Sequence, residues 1–307
     1  MTVQNVHPDA LGLRMMPTIK TKILITLEII LVFVVFIALR VALRSASIVK
    51  WENQNLGWVY TIMLLWIGIT VLVILLTRRS WAEYGVSSQN WPTNLDLGFK
   101  AYLVRISIIF GLGGIAWLGL QSNEPTGVAA ITLIWAIGLA LMIWAINRHK
   151  EVKSGRANLI ATLLFLLLPV GIALAMGRLS LVIVSTVIWQ FVFSGFGEEF
   201  IYRGYFQSRL NQAFGRPLRL FGIQFGTGLI IASLLFGLLH VFDSYDPALG
   251  SSSLAWGALW GNLLAGLFFG VIREKSGTIL APAIAHSLPD AVGEALMKIF
   301  PWMAQYF

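Results

Sequence analysis

Nine apolar stretches, each about as long as a bilayer's hydrocarbon core is thick, divide this chain. They run over 23–43, 57–77, 99–120, 127–146, 158–176, 180–203, 220–241, 252–272 and 278–299. About 20 mostly apolar residues are what an α-helix needs to cross a membrane. Inside lipid the backbone must satisfy its own hydrogen bonds, which leaves helices and closed barrels. Runs of this length therefore predict an all-α, polytopic membrane helix bundle with about eight to nine transmembrane helices. Composition agrees: 57% of residues are hydrophobic and 12% are charged, against roughly 25% charged in a soluble domain. Lys100 and Arg105 interrupt the third run, and long basic side chains there are expected to snorkel to the interface. Only Gly177-Arg178-Leu179 separates the fifth run from the sixth, which predicts a tight helical hairpin.

A net charge of +8 raises the question of nucleic acid. The basic residues are scattered between apolar runs, which fits loops facing anionic lipid headgroups and no nucleic-acid partner. With the N-terminus inside, the outer segments hold Arg40, Arg44, Lys50, Arg178 and Lys298. The other extramembrane Lys and Arg, from Arg14 to Lys275, fall inside. That bias predicts a cytoplasmic N-terminus and, with no transit peptide in view, a prokaryotic plasma membrane. The first run lacks a small-residue cleavage site after it and reads as a retained anchor. Trp51, Trp58, Tyr60, Trp81, Tyr84 and Trp91 sit at run edges, as an aromatic belt does. Cysteine is absent, so disulfides and thiolate chemistry are excluded.

Ionisable side chains at membrane depth are expensive and ask for partners. The sequence Gly195-Phe196-Gly197-Glu198-Glu199-Phe200-Ile201-Tyr202-Arg203 places two carboxylates and an arginine at the end of the sixth run. On a helix Glu199 and Arg203 stand at i,i+4 and pair, while Glu198 points about 100° away and faces something else. His240 ends the seventh run, and His286-Ser287-Leu288-Pro289-Asp290 lies in the last. His286 and Asp290 are again at i,i+4, and Pro289 predicts a kink or a helix start. Taken singly, a histidine at a helix end caps carbonyls. Taken together, two histidines, an acidic pair and an arginine in three runs predict convergence on an internal, wet cavity. In the eighth run Gly257-x-x-x-Gly261 and Gly266-x-x-x-Gly270 permit close helix approach, and Asn262 between them is positioned to orient a histidine. Glu28 in the first run reads as an interfacial or packing carboxylate. The chain thus divides into a transmembrane scaffold over 1–155, a catalytic helical core over 156–300, and a tail over 301–307.

Glu198-Glu199-x-x-x-Arg203, Phe236-x-x-x-His240 and His286-x-x-x-Asp290 resemble, in order, the three motifs of the CPBP (ABI) family. These are intramembrane glutamic endopeptidases related to the type II CAAX prenyl protease. The resemblance covers roughly 180–295. It departs from the common pattern at Asp290, where the family more often has Asn. It implies hydrolysis of a peptide bond of a membrane-associated protein or peptide, without a cofactor. Glu198 is then the general base, His240 holds the water, Glu199 pairs with Arg203, and His286 donates to the oxyanion. Asp290 either accepts from His286 or, if protonated, donates. Two other readings stand beside this one. Two His and a Glu from three helices could bind zinc as an intramembrane metalloprotease. The same bundle could also be a non-catalytic immunity or scaffold protein. One tension is built in: the runs as drawn put Glu198 toward the inner side and His240 near the outer end of its helix. The sixth helix has to continue to about Leu210 for the two to meet.

Overall fold

The computed structural model describes residues 17–108, 125–148, 155–243, 245 and 253–305. The second half of the third run, together with Arg14, Lys150 and Lys153 of the charge argument, lies outside the described residues. Among the described residues ten helices run in order: α1 Ile19–Leu43, α2 Ser47–Leu56, α3 Tyr60–Leu76, α4 Trp91–Ile108, α5 Pro125–Asn147, α6 Gly155–Ala175, α7 Leu181–Phe214, α8 Thr227–Val241, α9 Trp256–Ser276 and α10 Leu280–Ile299. Each of the nine runs corresponds to one of them, and α2 is added. Among the described residues four helices (α1, α6, α7 and α9) are long and apolar enough by themselves to cross a membrane. The number becomes five if α2 and α3, bent by 116° at their junction, form one span.

The surface shows which solvent this bundle expects. Leu31 is 64% exposed and Leu164 63%, and both sit amid further outward Leu and Ile on α1 and α6. Contiguous aliphatic faces of that kind are stable against lipid tails and not against water. From the inward stripe of α1, Ile29, Val32, Phe33 and Phe36 pack on α3 and α7 in one buried cluster. Phe36 stacks on Trp66 of α3 and meets Phe206 of α7. The α2–α3 corner is held by Glu52, whose carboxylate accepts from the Thr61 amide at 3.1 Å and its hydroxyl at 2.7 Å. An anion at a helix N-terminus satisfies amides that have no intrahelical partner.

The α6–α7 hairpin forms as the short linker predicts. Gly177 takes a left-handed φ of 62°, and the Ser180 hydroxyl caps α7. α7 then runs for 34 residues, which at 1.5 Å per residue is ~51 Å. Its middle is wound with wider π turns over Trp189–Glu198 and Phe200–Gln207, a winding that collects at functional sites. The seventh run does not begin helical at 220. Residues 218–225 form a two-stranded antiparallel hairpin, Leu218 opposite Phe225, and α8 starts only at Thr227. α10 continues unbroken through Pro289, so the proline starts no helix there. It is the central post of the core, packed by α4, α6, α7 and α9.

Candidate active site

The core brings α7, α8 and α10 together, and glycines set the separations. A Cβ on Gly195 would lie 2.2 Å from the Ser287 Cβ and 2.9 Å from its Cα, so α7 and α10 touch backbone to backbone one turn before Glu198. Gly266 and Gly270 of α9 sit against Ser233 and Leu229 of α8, as the second small-residue pair predicts. The first pair differs: Gly257 and Gly261 have no neighbour within 4 Å of an added Cβ among the described residues. Asn262 donates to the Ala258 carbonyl of its own helix at 2.9 Å, and the expected role toward a histidine is not what the structure shows.

The depth tension between Glu198 and His240 resolves through register. α7 passes Arg203 by eleven further residues before it ends at Phe214. α8 returns antiparallel, so Tyr202 faces Phe236, ring centroids 5.1 Å apart. One turn back from Tyr202 is Glu198 and one turn on from Phe236 is His240, and the two stand level. Phe236 lies 4.9 Å from the His240 ring and 5.8 Å from that of His286. Glu198 is within coulombic reach of both histidines.

Each expected site residue has a place. Glu199 and Arg203 are fully buried and form an ion pair at 3.0 Å. It is not a well-aligned hydrogen bond, since that guanidinium nitrogen has no hydrogen-bond acceptor among the described residues. Arg203 also donates to the Gly266 carbonyl at 3.1 Å and lies over Phe236 at 4.5 Å. Glu199 is bound on its other side by His286, whose Nδ1 is 2.8 Å from the carboxylate. The His286 ring stacks on Phe269 at 4.6 Å. Its Nε2 is 3.3 Å from Asp290 and 4.0 Å from Glu198. Glu198 differs from its neighbour: it is buried, and Oε2 has no hydrogen-bond partner among the described residues. A buried carboxylate oxygen without a donor is costly in a fold and calls for a reason. His240 keeps Nδ1 on Asp243 at 3.0 Å, while its Nε2 is buried and unpartnered among the described residues.

Four side chains near the site were not anticipated in these positions. Arg105 does not snorkel to an interface; it lies 3.7 Å from Asp290 and over Phe269 at 5.1 Å. The cost of an unpaired cation at that depth favours the inward pairing, and a charge in mid-run was the available signal. Asp243 and Arg40 pair at 2.6 Å beside His240, across a sequence separation no local pattern discloses. Tyr202, one turn on from Glu198, has a buried hydroxyl with no partner among the described residues. Glu28 is a tie between α1 and α7, accepting from Tyr205 at 2.6 Å and from Arg209, in keeping with a packing role. Among the described residues no group of three or more His, Asp or Glu is arranged to hold a metal ion.

Apolar helices with lipid-facing leucines around a buried cluster of carboxylates and imidazoles define a polytopic α-helical membrane protein with an internal ionisable site. Within that class, residues 180–292 match the family model described as type II CAAX prenyl endopeptidase Rce1-like, and this segment is similar to that family of membrane peptidases. The match spans a little over a third of the chain, from α7 into α10, and includes Glu198, Glu199, Arg203, His240, His286 and Asp290. No curated protein and no solved structure matches significantly.

Proposed function

We propose that the chain is an intramembrane endopeptidase that hydrolyses a peptide bond of a membrane-associated protein or peptide, using a water placed between Glu198 and His240. The observation that carries this is the contrast between adjacent carboxylates. Glu199 is engaged by Arg203 and His286, whereas Glu198 has an oxygen without a donor among the described residues and lies within coulombic reach of His240 and His286. In this reading Glu198 removes a proton from the water as its oxygen attacks the carbonyl carbon. The carbonyl oxygen becomes the oxyanion of a tetrahedral adduct. Glu198 then returns the proton to the departing nitrogen as the C–N bond breaks, leaving a carboxylate and an amine. His240 holds and polarises the water. Arg203 and Glu199 fix the orientation of His286, which offers Nε2–H to the oxyanion in competition with Asp290. Arg105 holds Asp290.

Metal-free hydrolysis is supported by the donor set. Both nitrogens of His286 lie against carboxylates, and His240 reaches Asp243 with one of its two. A prenylated C-terminal tetrapeptide, the substrate class in the family's name, is the first probe to offer. We place the N-terminus on the cytoplasmic side of a prokaryotic plasma membrane, on the distribution of Lys and Arg. The test is turnover of a fluorogenic farnesylated CAAX-type peptide, and proteomics of membranes from cells carrying wild-type or Glu198→Gln protein. Substrates that accumulate only with the variant support the reading. An unchanged membrane proteome together with equal turnover by both proteins would exclude it.

A further inference from the structure

The end of α8 carries an arrangement that the three sequence motifs do not include. Asp243 lies two residues past the helix, at i+3 from His240, and its carboxylate spans two partners. Oδ2 is 3.0 Å from the His240 Nδ1, and Oδ1 is 2.6 Å from the Arg40 guanidinium. Arg40 is in the last turn of α1, outside the segment that matches the family. One turn further, Arg44 donates to the carbonyls of Phe242 at 3.3 Å, Asp243 at 2.8 Å and Tyr245 at 2.7 Å. Cations at the last carbonyls of a helix stabilise its end, so α1 holds the backbone and the side chain of this segment together. Burial raises the Asp243 pKa, but the His240 hydrogen bond and the Arg40 charge outweigh it and hold this carboxyl below the usual carboxylate range.

A carboxylate on one imidazole nitrogen fixes the tautomer, because it accepts N–H and leaves the other nitrogen bare. Here the other nitrogen is the buried Nε2, unpartnered among the described residues. Among the described residues the charged groups around His240 are Asp243 beside it, Glu198 on α7 and Asp290 on α10, both within coulombic reach, and Arg40 behind Asp243. We infer that Asp243, anchored by Arg40, is a positioning residue that holds His240 as the Nδ1–H tautomer with Nε2 turned into the site as an acceptor. This rests on the proposed role of His240 only for its catalytic meaning; the tautomer itself does not depend on it. The pair is also a good subject for mutation. The Arg40 side chain is 20% exposed and that of Asp243 44%, so its removal leaves no deeply buried orphan charge.

The test is imidazole ¹⁵N NMR on the full chain in detergent micelles, labelled at histidine, with His240→Gln assigning the signal. The chain has four histidines, so the spectrum is sparse. A hydrogen bond to a charged acceptor predicts a preference on the order of tenfold or more for the Nδ1–H form of neutral His240. Asp243→Ala reduces that preference at least severalfold, and Arg40→Gln weakens it. Asp243→Asn, which keeps an oxygen acceptor, restores most of it and covers the case in which the alanine variant folds poorly. A His240 that is Nε2–H in the wild type, or a ratio unmoved by all three variants, overturns the inference. The proteolytic reading fails separately: Glu198→Gln with full turnover removes it and leaves the tautomer result standing.

Discussion

Replacing Arg203 with Met tests how much of the core hangs on one buried cation. The guanidinium has no exposed surface, pairs with Glu199 at 3.0 Å, donates to the Gly266 carbonyl at 3.1 Å and lies 4.5 Å from the Phe236 ring. Removing one member of a buried pair costs about 3–5 kcal/mol, since the other charge stays buried without compensation. Glu199 retains His286 at 2.8 Å, so the loss falls at the low end, about 3 kcal/mol. Met keeps most of the stem volume, which separates the charge effect from a cavity. Converting Glu199 to Gln in the same protein removes the stranded charge, and the double variant should recover about 1–2 kcal/mol relative to the sum of the singles. The assay is SDS-induced unfolding from mild detergent, followed by tryptophan fluorescence, on all four proteins of the cycle. An Arg203→Met protein within about 0.5 kcal/mol of wild type, or a coupling indistinguishable from zero, would refute the claim that this pair organises the core.

Four further outcomes are expected. Glu198→Gln lowers turnover of the farnesylated probe peptide by ~10²–10⁴ while leaving the unfolding midpoint within error of wild type, because a lost general base accounts for that range. Gly195→Ala forces α7 away from the Ser287 backbone and costs about 1–3 kcal/mol, whereas Gly261→Ala, whose added Cβ has no neighbour within 4 Å among the described residues, is near neutral by the same unfolding assay. Arg105→Gln leaves Asp290 with His286 alone and lowers kcat more than it raises KM, readable in steady-state kinetics on the same peptide. Exhaustive chelation followed by metal analysis leaves turnover unchanged, and activity that disappears and returns with zinc would establish the metalloprotease alternative.

What the sequence made legible was chemistry confined to one helix. Glu199 and Arg203 are at i,i+4, so their pairing needed only helical winding, and it is present. The apolar runs located the helices because lipid tolerates few alternatives. The relation between helices was not legible, because it depends on where each one ends. Ending the sixth run near Arg203 put Glu198 and His240 at different depths; the chain continues helical to Phe214 through Arg209, which Glu28 of α1 receives. Hydropathy discourages a helix from extending past charged residues, and here a distant carboxylate makes the extension acceptable. Arg105 was misplaced for the same reason. From the sequence its partner could be water or a headgroup, and only the packing of α4 on α10 reveals Asp290. The hairpin at 218–225 carries no strong alternation, and its apolar residues merged with those of α8.

The reach of α1 and α4 bears on how such a protein can be dissected. Cutting the chain at residue 180 to isolate the family-sized portion would discard Arg40, Glu28 and Arg105 at once, the respective tethers of Asp243, Arg209 and Asp290. The fragment would keep every motif residue yet lack the braces on all three of those side chains. The smallest autonomous unit is therefore set by these long-range clasps, and co-expression of the amino-terminal helices as a separate polypeptide is the natural route to restoring a trimmed core.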